Sequence, residues 1–242
     1  MPAPDHAKPP VLVSWSGGKD CCLALHEVLR GGDFAVEALL TTITEDFDRI
    51  SMHGVRRALL ERQAASLGIP LLEVLIPKGA SNADYELQMG EALASSRERG
   101  IEAVVFGDLF LADVRAYRER LLARHGLSGL YPIWGRDTAA AIRDFLREGF
   151  EAVVVCVDPA RLDAGFAGRI IDDRFLAELP PSVDPCGENG EFHTFVFDGP
   201  IFGRPVTFSL GELVCRDSFW FRDLVPLATK AARESGVGFG ST

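Results

Sequence analysis

The sequence predicts an α/β fold, with a doubly wound parallel sheet followed by a second, smaller α+β domain. In the first half, apolar runs typical of buried strands alternate with segments whose apolar residues recur at helical spacing. A glycine turn at residues 16–18 joins the first apolar run to the first helical segment. After residue 190, short β-branched and aromatic runs are separated by Asp-Gly-Pro, which indicates antiparallel strands.

The first half alternates predicted strands with predicted helices. Gly-Gly-Asp at residues 31–33 ends the first helix, and Gly-Ile-Pro at residues 68–70 ends the second. We expect a loop at residues 46–52. The strands are predicted at 11–15, 36–43, 71–76 and 103–106, and the helices at 22–29, 55–67, 84–99 and 114–125.

A domain boundary is expected near residues 130–135, Leu-Tyr-Pro-Ile-Trp-Gly. We divide the chain into a phosphate-binding domain at 9–131, a smaller substrate-binding α+β domain at 132–226 and a glycine-rich tail at 227–242, expected to be mobile. In the second domain, helices are predicted at 138–147 and 172–179, and strands at 152–157, 192–197 and 205–210.

Charge and composition argue against several classes of protein. The net charge of −10 disfavours a nucleic-acid partner, because such proteins cluster Lys and Arg on one face. The five cysteines contain no C-x-x-C spacing, so neither a disulfide framework nor a zinc site is predicted. No apolar run approaches membrane length, and the Pro-rich start lacks the apolar core of a signal peptide. We therefore expect a cytoplasmic protein that binds neither membranes nor nucleic acid.

Residues 16–20, Ser-Gly-Gly-Lys-Asp, have the features of a phosphate-binding turn. Glycines let backbone N–H groups converge on an anion, and the helix start adds unpaired donors. Lys19 supplies a cation, while Asp20 can cap the helix or face a metal ion. The Walker pattern does not fit because Asp follows the Lys, and the fingerprint G-x-G-x-x-G is absent. The alternative is a plain strand-to-helix turn.

A second dense polar cluster lies at residues 187–194, Gly-Glu-Asn-Gly-Glu-Phe-His-Thr. On a strand, Glu191 and His193 would project to the same face, and Glu188 lies in the preceding turn. A carboxylate beside an imidazole can orient the ring and relay a proton. A metal site stays open, although no third ligand is obvious. The alternative is a hydrogen-bonded turn that caps a sheet edge.

Residues 16–20 resemble the PP-loop of the ATP pyrophosphatases. That resemblance implies an enzyme that breaks ATP between its α and β phosphates, with the loop holding the departing pyrophosphate. The family usually has Ser after the Asp, and here the residue is Cys21. Because a thiol is a weaker donor than a hydroxyl, we do not expect a direct phosphate contact from position 21.

Motifs along residues 11–210 together resemble the diphthine–ammonia ligase family of PP-loop ATPases. The most specific of them is the cluster at 187–194, because many enzymes share the PP-loop. The resemblance implies a Rossmann-like nucleotide domain of the PP-loop type, a smaller substrate domain and an active site between them. The matching stretches are 16–20, 68–70, 107–109, 130–134, 168–172, 184–194 and 198–202.

The chemistry implied by the resemblance is ATP-dependent amide formation. A substrate carboxylate attacks the α-phosphate and expels pyrophosphate; ammonia then attacks the acyl-adenylate, and AMP leaves. The implied cofactors are ATP and Mg²⁺. The implied partners are ammonia and a carboxylate acceptor, either diphthine-modified elongation factor 2 or a small molecule. A homodimer is left open.

Site residues follow from the resemblance and from the two polar motifs. The catalytic set is Lys19, Glu188, Glu191 and His193. Nucleotide contacts are expected from Ser14, Ser16, Gly17, Gly18, Lys19, Asp20, Thr41, Thr42, His53, Gly107 and Asp108. Acceptor contacts are expected from Glu188, Asn189, Glu191, His193 and Thr194. Asp20, or else Asp108, is the candidate Mg²⁺ ligand. Of the arginines on the helix predicted at 114–125, Arg118 is the one expected to reach the phosphates.

Two other functions stay open at this point. The first is a PP-loop enzyme that acts on another small molecule or on tRNA, which the acidic charge and the lack of C-x-x-C disfavour. The second is a non-catalytic sensor that binds ATP or AMP, since fold alone does not give activity. Holding ATP does not require Glu191 and His193, so the second cluster argues against a pure sensor.

Overall fold

The computed structural model describes residues 8–50 and 53–228, which form two sheets with helices packed around them. The strands are β1 (Pro10–Ser14), β2 (Ala35–Thr44), β3 (Arg49–Ile50), β4 (Leu71–Ile76), β5 (Ala103–Val105), β6 (Ser128–Leu130), β7 (Glu151–Val157), β8 (Phe192–Asp198), β9 (Phe208–Arg216) and β10 (Phe219–Pro226). The helices are α1 (Lys19–Gly31), α2 (Arg57–Leu67), α3 (Asn82–Glu98), α4 (Ala112–Arg124), α5 (Thr138–Arg147) and α6 (Asp173–Glu178). Within these described residues, no helix has both the length and the apolar character needed to cross a membrane.

The first sheet confirms the predicted doubly wound α/β fold. Strand β1 pairs in parallel with β2 and β5, β4 pairs in parallel with β2, and β6 with β5; only the short β3 runs antiparallel. Val11 and Val13 of β1 pack with α1 and α2 on one face, and Leu12 packs with α3 and α4 on the other. This layering leaves the carboxyl ends of β1, β2 and β5 free to carry binding loops.

The second sheet is antiparallel, in the order β8-β7-β10-β9, as predicted for the smaller α+β half. The prediction of a strand at 205–210 was wrong in its bounds, and β10 was not predicted at all. The β9–β10 turn contains Asp217 and Ser218, both at positive φ, instead of the glycine that usually marks a two-residue hairpin. Both strands are also half-exposed, which weakens their apolar signal.

The tail expected at 227–242 falls mostly outside the described residues, which end at 228, and the domain bounds at 131 and 132 remain a prediction. The expected loop at 46–52 contains a 3-10 turn at Glu45–Phe47 and β3, and residues 51 and 52 also lie outside the described part.

Strand β8 docks directly on the glycine turn between β1 and α1. The N–H of Val196 donates to the carbonyl of Gly17 at 2.9 Å, and the N–H of Lys19 donates to Thr194 Oγ1 at 3.1 Å. The fully buried Gln63 of α2 bridges both sides, because its amide donates to the carbonyls of Gly17 and Val196. The two sheets are therefore held together at the turn that the sequence singles out for phosphate binding.

Gly107, just after β5, lets that strand approach the first turn of α1. A Cβ at this position would lie 2.5 Å from the carbonyl carbon of Asp20 and 2.7 Å from the nitrogen of Cys21. These are backbone atoms, so they cannot move aside without shifting the helix. Gly107 therefore fixes the position of α1 relative to the sheet.

We expect Gly107→Ala to lower the free energy of unfolding by about 1–3 kcal/mol, as overpacking commonly does. The control is Gly31→Ala in the last turn of α1, where the nearest atom to an added Cβ lies 3.6 Å away. This control should be neutral or slightly stabilising, because alanine favours the helix. Urea denaturation of both variants measures the effect. Equal unfolding midpoints for the two variants would contradict the close approach.

Candidate functional site

A cavity of about 570 Å³ opens where the strand ends of the first sheet face the start of β8. Both polar motifs contribute to it, together with the end of β2 and the loop after β5. Three residues of the predicted site lie outside its lining: Gly17, Asn189 and Glu191. The predicted residues that line it are Ser14, Ser16, Gly18, Lys19, Asp20, Thr41, Thr42, His53, Gly107, Asp108, Glu188, His193 and Thr194.

The glycine turn presents the amino end of α1 to this cavity. Gly17 has a φ of 76°, a left-handed conformation that glycine adopts without steric cost. Gly18 is the N-cap of α1 and receives no side-chain cap, and an added Cβ there would lie 3.2 Å from the carbonyl oxygen of Thr194. The positive end of the helix dipole thus faces the cavity, an arrangement that favours a bound anion.

Lys19 is the cation at the helix start in this cavity and is only 4% exposed. Its Nζ lies 2.8 and 2.9 Å from the two carboxylate oxygens of Asp20, and 5.7 Å from the ring centroid of Phe192. Burial opposes the charge on Lys19, but Asp20, with smaller contributions from Cys186 and Glu188, outweighs burial and holds the pKa of Lys19 above its ordinary value. Lys19 is therefore a permanent positive charge at the helix start.

Cys21 lines the cavity, and its thiol contacts the glycine turn. The Sγ of Cys21 donates to the carbonyl of Gly18 at 3.1 Å and lies 3.6 Å from Ser16 Oγ. The thiol is thus engaged with the turn itself. Ser16 is the hydroxyl of the turn, and its Oγ lies 3.4 Å from the N–H of Gly18.

Glu188 reaches across from the second motif to the first sheet. One of its carboxylate oxygens accepts the N–H of Leu109 at 2.8 Å. Burial raises the pKa of Glu188 to about 7, with Asp20 adding to the rise and the Leu109 N–H opposing it. A carboxyl group that titrates near neutral pH can both accept and release a proton at the cavity wall.

Glu191 lies beneath the second motif and is fully buried. Its carboxylate accepts the backbone N–H groups of Asp184 and Asn189 and also the side-chain amide of Asn189. These three bonds hold the loop that carries Glu188. The placement favours a positioning role for Glu191 and Asn189 over the acceptor contact expected from the sequence.

Asp184 is a loop-organising residue that the sequence analysis did not assign to the site. One of its oxygens accepts the N–H of Cys186 at 2.9 Å, and the other accepts Thr138 Oγ1 at 2.7 Å. Asp followed by Pro is a turn signal, so the sequence did carry a hint of this role. Gln63 was also missed, because nothing in a helical Gln indicates that it bridges two sheets.

His53 and His193 stack on each other in the cavity wall, with ring centroids 4.4 Å apart and planes at 26°. Burial, reinforced by Lys19, lowers the pKa of His193 to about 4. Burial, together with His193 and Lys19, holds the pKa of His53 well below its ordinary value. Both imidazoles are therefore neutral at neutral pH and available as hydrogen-bonding groups.

Two buried polar atoms at the cavity have no hydrogen-bond partner among the described residues, namely Thr41 Oγ1 and His53 Nδ1. Buried polar atoms are ordinarily satisfied, so such orphans at a cavity wall point to a polar ligand. Thr41 and His53 lie on the side predicted for the adenosine half. The residues present therefore fit a nucleotide whose phosphates face the start of α1.

Two carboxylates on the cavity wall, those of Asp20 and Asp108, are paired with cations. Asp108 bonds to Arg118, whose guanidinium also lies over the ring of Phe106. Residues 8–50 and 53–228 contain no cluster of three or more His, Cys, Asp or Glu side chains arranged to hold a metal ion. Mg²⁺ commonly uses one or two carboxylates plus substrate phosphates, a mode that Asp20 and Asp108 fit. Asp20 as a metal ligand stays a prediction.

The fold and the cavity define a PP-loop protein of the ATP pyrophosphatase type: a doubly wound sheet whose first strand is followed by a glycine turn, a lysine and the start of a helix. The sequence profile described as the diphthamide synthase N-terminal domain matches residues 10–129, and that of the C-terminal domain matches residues 137–226. The chain belongs to the diphthamide synthase family.

Several curated relatives carry the name diphthine–ammonia ligase. The chain is 25% identical to the protein of Schizosaccharomyces pombe over 218 residues, 82% of this chain and 36% of that protein. It is 24% identical to the Danio rerio protein over 220 residues, 82% of this chain and 86% of that protein. It is 25% identical to the Homo sapiens protein over 222 residues, 82% of each chain. This chain thus spans about a third of the fission yeast relative and most of the two vertebrate ones.

We expect Glu188→Gln to change how stability depends on pH. The native pKa of Glu188, about 7, lies above its ordinary value of 4.5, so the native state prefers the protonated form. The wild-type chain should therefore lose stability between about pH 5 and pH 7, whereas the variant, neutral throughout, keeps it. The melting temperature of the variant minus that of the wild type should grow across this window. The exposed Glu98→Gln is the control, and a difference that stays constant with pH would contradict the shifted pKa.

Proposed function

We propose that the protein is an ATP-dependent ligase that adenylates a substrate carboxylate, releasing pyrophosphate, and transfers the acyl group to ammonia. Diphthine on elongation factor 2 is the proposed acceptor, in keeping with the name of the relatives. One observation carries the proposal: the start of α1 with Lys19 shares a single cavity with Glu188 and His193. A phosphate-binding end and a proton-handling end thus lie within reach of one bound nucleotide.

The nucleotide end suits cleavage between the α and β phosphates. In this step the acceptor carboxylate oxygen bonds to the α-phosphorus, and the bond to the β-phosphate oxygen breaks with its electron pair on pyrophosphate. Negative charge therefore grows on the leaving group, beside Lys19 and the N–H groups of the first helical turn. Mg²⁺, held by Asp20 or Asp108 together with the phosphates, would supply further positive charge there.

The second motif suits the transfer to ammonia. The nitrogen bonds to the acyl carbon, AMP leaves with the electron pair of the broken C–O bond, and the nitrogen must lose a proton. Glu188, with its pKa near 7, can accept that proton. The neutral His193 contributes a hydrogen bond that orients the acyl group or the ammonia. A sensor that only holds ATP would not require a carboxyl group with a pKa near 7, so Glu188 favours a catalytic function.

Variants of the two motifs test the proposal, because one motif should affect ATP binding and the other should affect amide formation. With ATP, Mg²⁺, ammonium and diphthine-bearing elongation factor 2, the wild type should form AMP and pyrophosphate in equal amounts. Lys19→Ala should weaken ATP binding and reduce turnover by roughly 100-fold or more, because it removes a cation from developing charge. His193→Ala should retain ATP affinity while losing amide formation. Calorimetry with a non-hydrolysable ATP analogue and product chromatography measure the two effects.

Controls for these variants are Lys8→Ala and His125→Ala, which change the same residue types away from the cavity lining. Both should bind and turn over ATP as the wild type does. Formation of ADP and phosphate by the wild type would contradict the proposed reaction. If His193→Ala loses ATP binding as fully as Lys19→Ala, at unchanged thermal stability, the division of labour is wrong.

A further inference from the structure

A second and larger cavity, of about 950 Å³, adjoins the nucleotide cavity, and we call it the outer cavity. Neither polar motif accounts for most of it. Its walls come from residues 44–50 with Gly54, from the loop at 76–80 and from the β9–β10 hairpin at 216–221. Six residues line both cavities, so the two meet at a common wall: Ile50, Ile76, Ala80, Glu188, Gly190 and His193.

The shared wall contains Glu188 and His193, the two groups proposed to act in the transfer to ammonia. Glu188 and His193 can therefore be reached from the nucleotide side and from the outer side alike. A ligand in the outer cavity would meet a bound nucleotide at this junction. For a reaction between ATP and a carboxylate, that geometry points to the outer cavity as the place of the carboxylate.

The lining of the outer cavity combines aromatic rings with positive charge. Phe47, Phe219 and Phe221 line it, and Lys78 lies with its ammonium 4.9 Å from the ring centroid of Phe47. Arg216, on the β9–β10 hairpin, is exposed at the edge of the cavity, and we call the exposed residues Phe47, Lys78 and Arg216 its rim. Within residues 8–50 and 53–228, neither Lys78 nor Arg216 forms an ion pair, although the carboxylate of Asp217 also lines the cavity. Two cations are therefore open to an anionic ligand in an otherwise acidic protein.

Arg49 also lines the outer cavity, but its charge is neutralised by an ion pair with Asp223. Its guanidinium donates to Asp223 at 2.9 Å and to the carbonyl of Gly54 at 2.6 Å. These bonds tie β10 to the segment that carries His53. Arg49 is thus part of the wall, and the positive charge available to a ligand comes from Lys78 and Arg216.

The size and exposure of the rim favour a ligand carried by a larger body. Phe47 is 49% exposed at the edge of this cavity. A small free acid held deep inside would leave that ring in water. A protein surface that presents a carboxylate-bearing side chain would cover it, since aromatic and arginine side chains dominate such contacts.

We propose that the outer cavity is the acceptor site: it binds a carboxylate-bearing side chain presented by a protein, with Phe47, Lys78 and Arg216 contacting the surface around that side chain. This assignment rests on the ligase function proposed above. The carboxylate enters between the rim cations and meets the α-phosphate at the wall formed by Glu188 and His193. Specificity for the acceptor then lies in residues outside both sequence motifs.

The test separates acceptor binding from nucleotide binding. Phe47→Ala, Lys78→Glu and Arg216→Glu change exposed rim residues, so folding should persist, and melting temperatures verify this. With diphthine-bearing elongation factor 2 as the acceptor, each variant should raise KM for the acceptor by about tenfold, the effect of losing one strong interface residue. KM for ATP should stay within about twofold, because none of the three lines the nucleotide cavity.

Matched controls are Leu87→Ala and Arg143→Glu, an exposed apolar residue on α3 and an exposed arginine on α5 that line neither cavity. Binding of fluorescently labelled acceptor without ATP should weaken in the rim variants and not in the controls. If the wild type is active but the rim variants behave like the controls, the acceptor binds elsewhere and this inference is overturned. If a small free carboxylate is turned over as efficiently as the protein acceptor, and its KM rises equally in the rim variants, the inference that the carboxylate is presented by a protein is wrong. If the wild type does not turn over this acceptor at all, the proposed function is contradicted, and the assignment of the acceptor site, which rests on it, is contradicted too.

Discussion

The docking of β8 on the glycine turn is the interaction on which the rest of the site depends. Two backbone N–H groups make it: that of Val196 donates to the carbonyl of Gly17, and that of Lys19 donates to the side-chain hydroxyl of Thr194. Gln63 reinforces both sides from a fully buried position. Without this contact the second sheet would not face the start of α1, and the two polar motifs would serve separate surfaces. The phosphate-binding turn is thus also the joint between the two halves of the molecule.

The electrostatics of the cavity follow from the same arrangement. The chain carries a net charge of −10, yet the carboxylates at the cavity are balanced locally, Asp20 by Lys19 and Asp108 by Arg118. The third, Glu188, is protonated in part near neutral pH because burial raises its pKa. The cavity can therefore accept a polyphosphate despite the acidic surface. Burial also keeps His53 and His193 neutral, so neither adds a charge that would have to be compensated.

Much of the nucleotide half could be predicted from the sequence, because its signals are local. Glycine, lysine and a helix start within a few residues determine the chemistry of a phosphate turn, and the alternation of strands and helices determines where that turn lies in the sheet. The meeting of residues 16–20 with residues 187–194 could be expected only from the family resemblance. No local pattern states that distant segments will touch.

The unpredicted parts are those that depend on tertiary packing. Glu191 looks like a catalytic carboxylate in the sequence, but the loop folds over it and uses both of its oxygens. The β9–β10 hairpin has no glycine in its turn, and its strands alternate weakly, so β10 and the outer cavity behind it left no clear signal. Gln63 is a polar helix residue whose role appears only when α2 packs beneath the turn. In each case burial, which the sequence does not record, decides the role.

The proposed adenylation of a carboxylate, at the wall shared by the two cavities, can be followed directly with an isotope label. The direct measurement uses an acceptor whose carboxylate is labelled with the heavy isotope of oxygen, in a reaction with unlabelled ATP and ammonium. One labelled oxygen should appear in the phosphate of AMP and none in pyrophosphate, because the carboxylate oxygen bonds to the α-phosphorus and stays there when the amide forms. AMP that carries no label, or label found in pyrophosphate or inorganic phosphate, would contradict the claim.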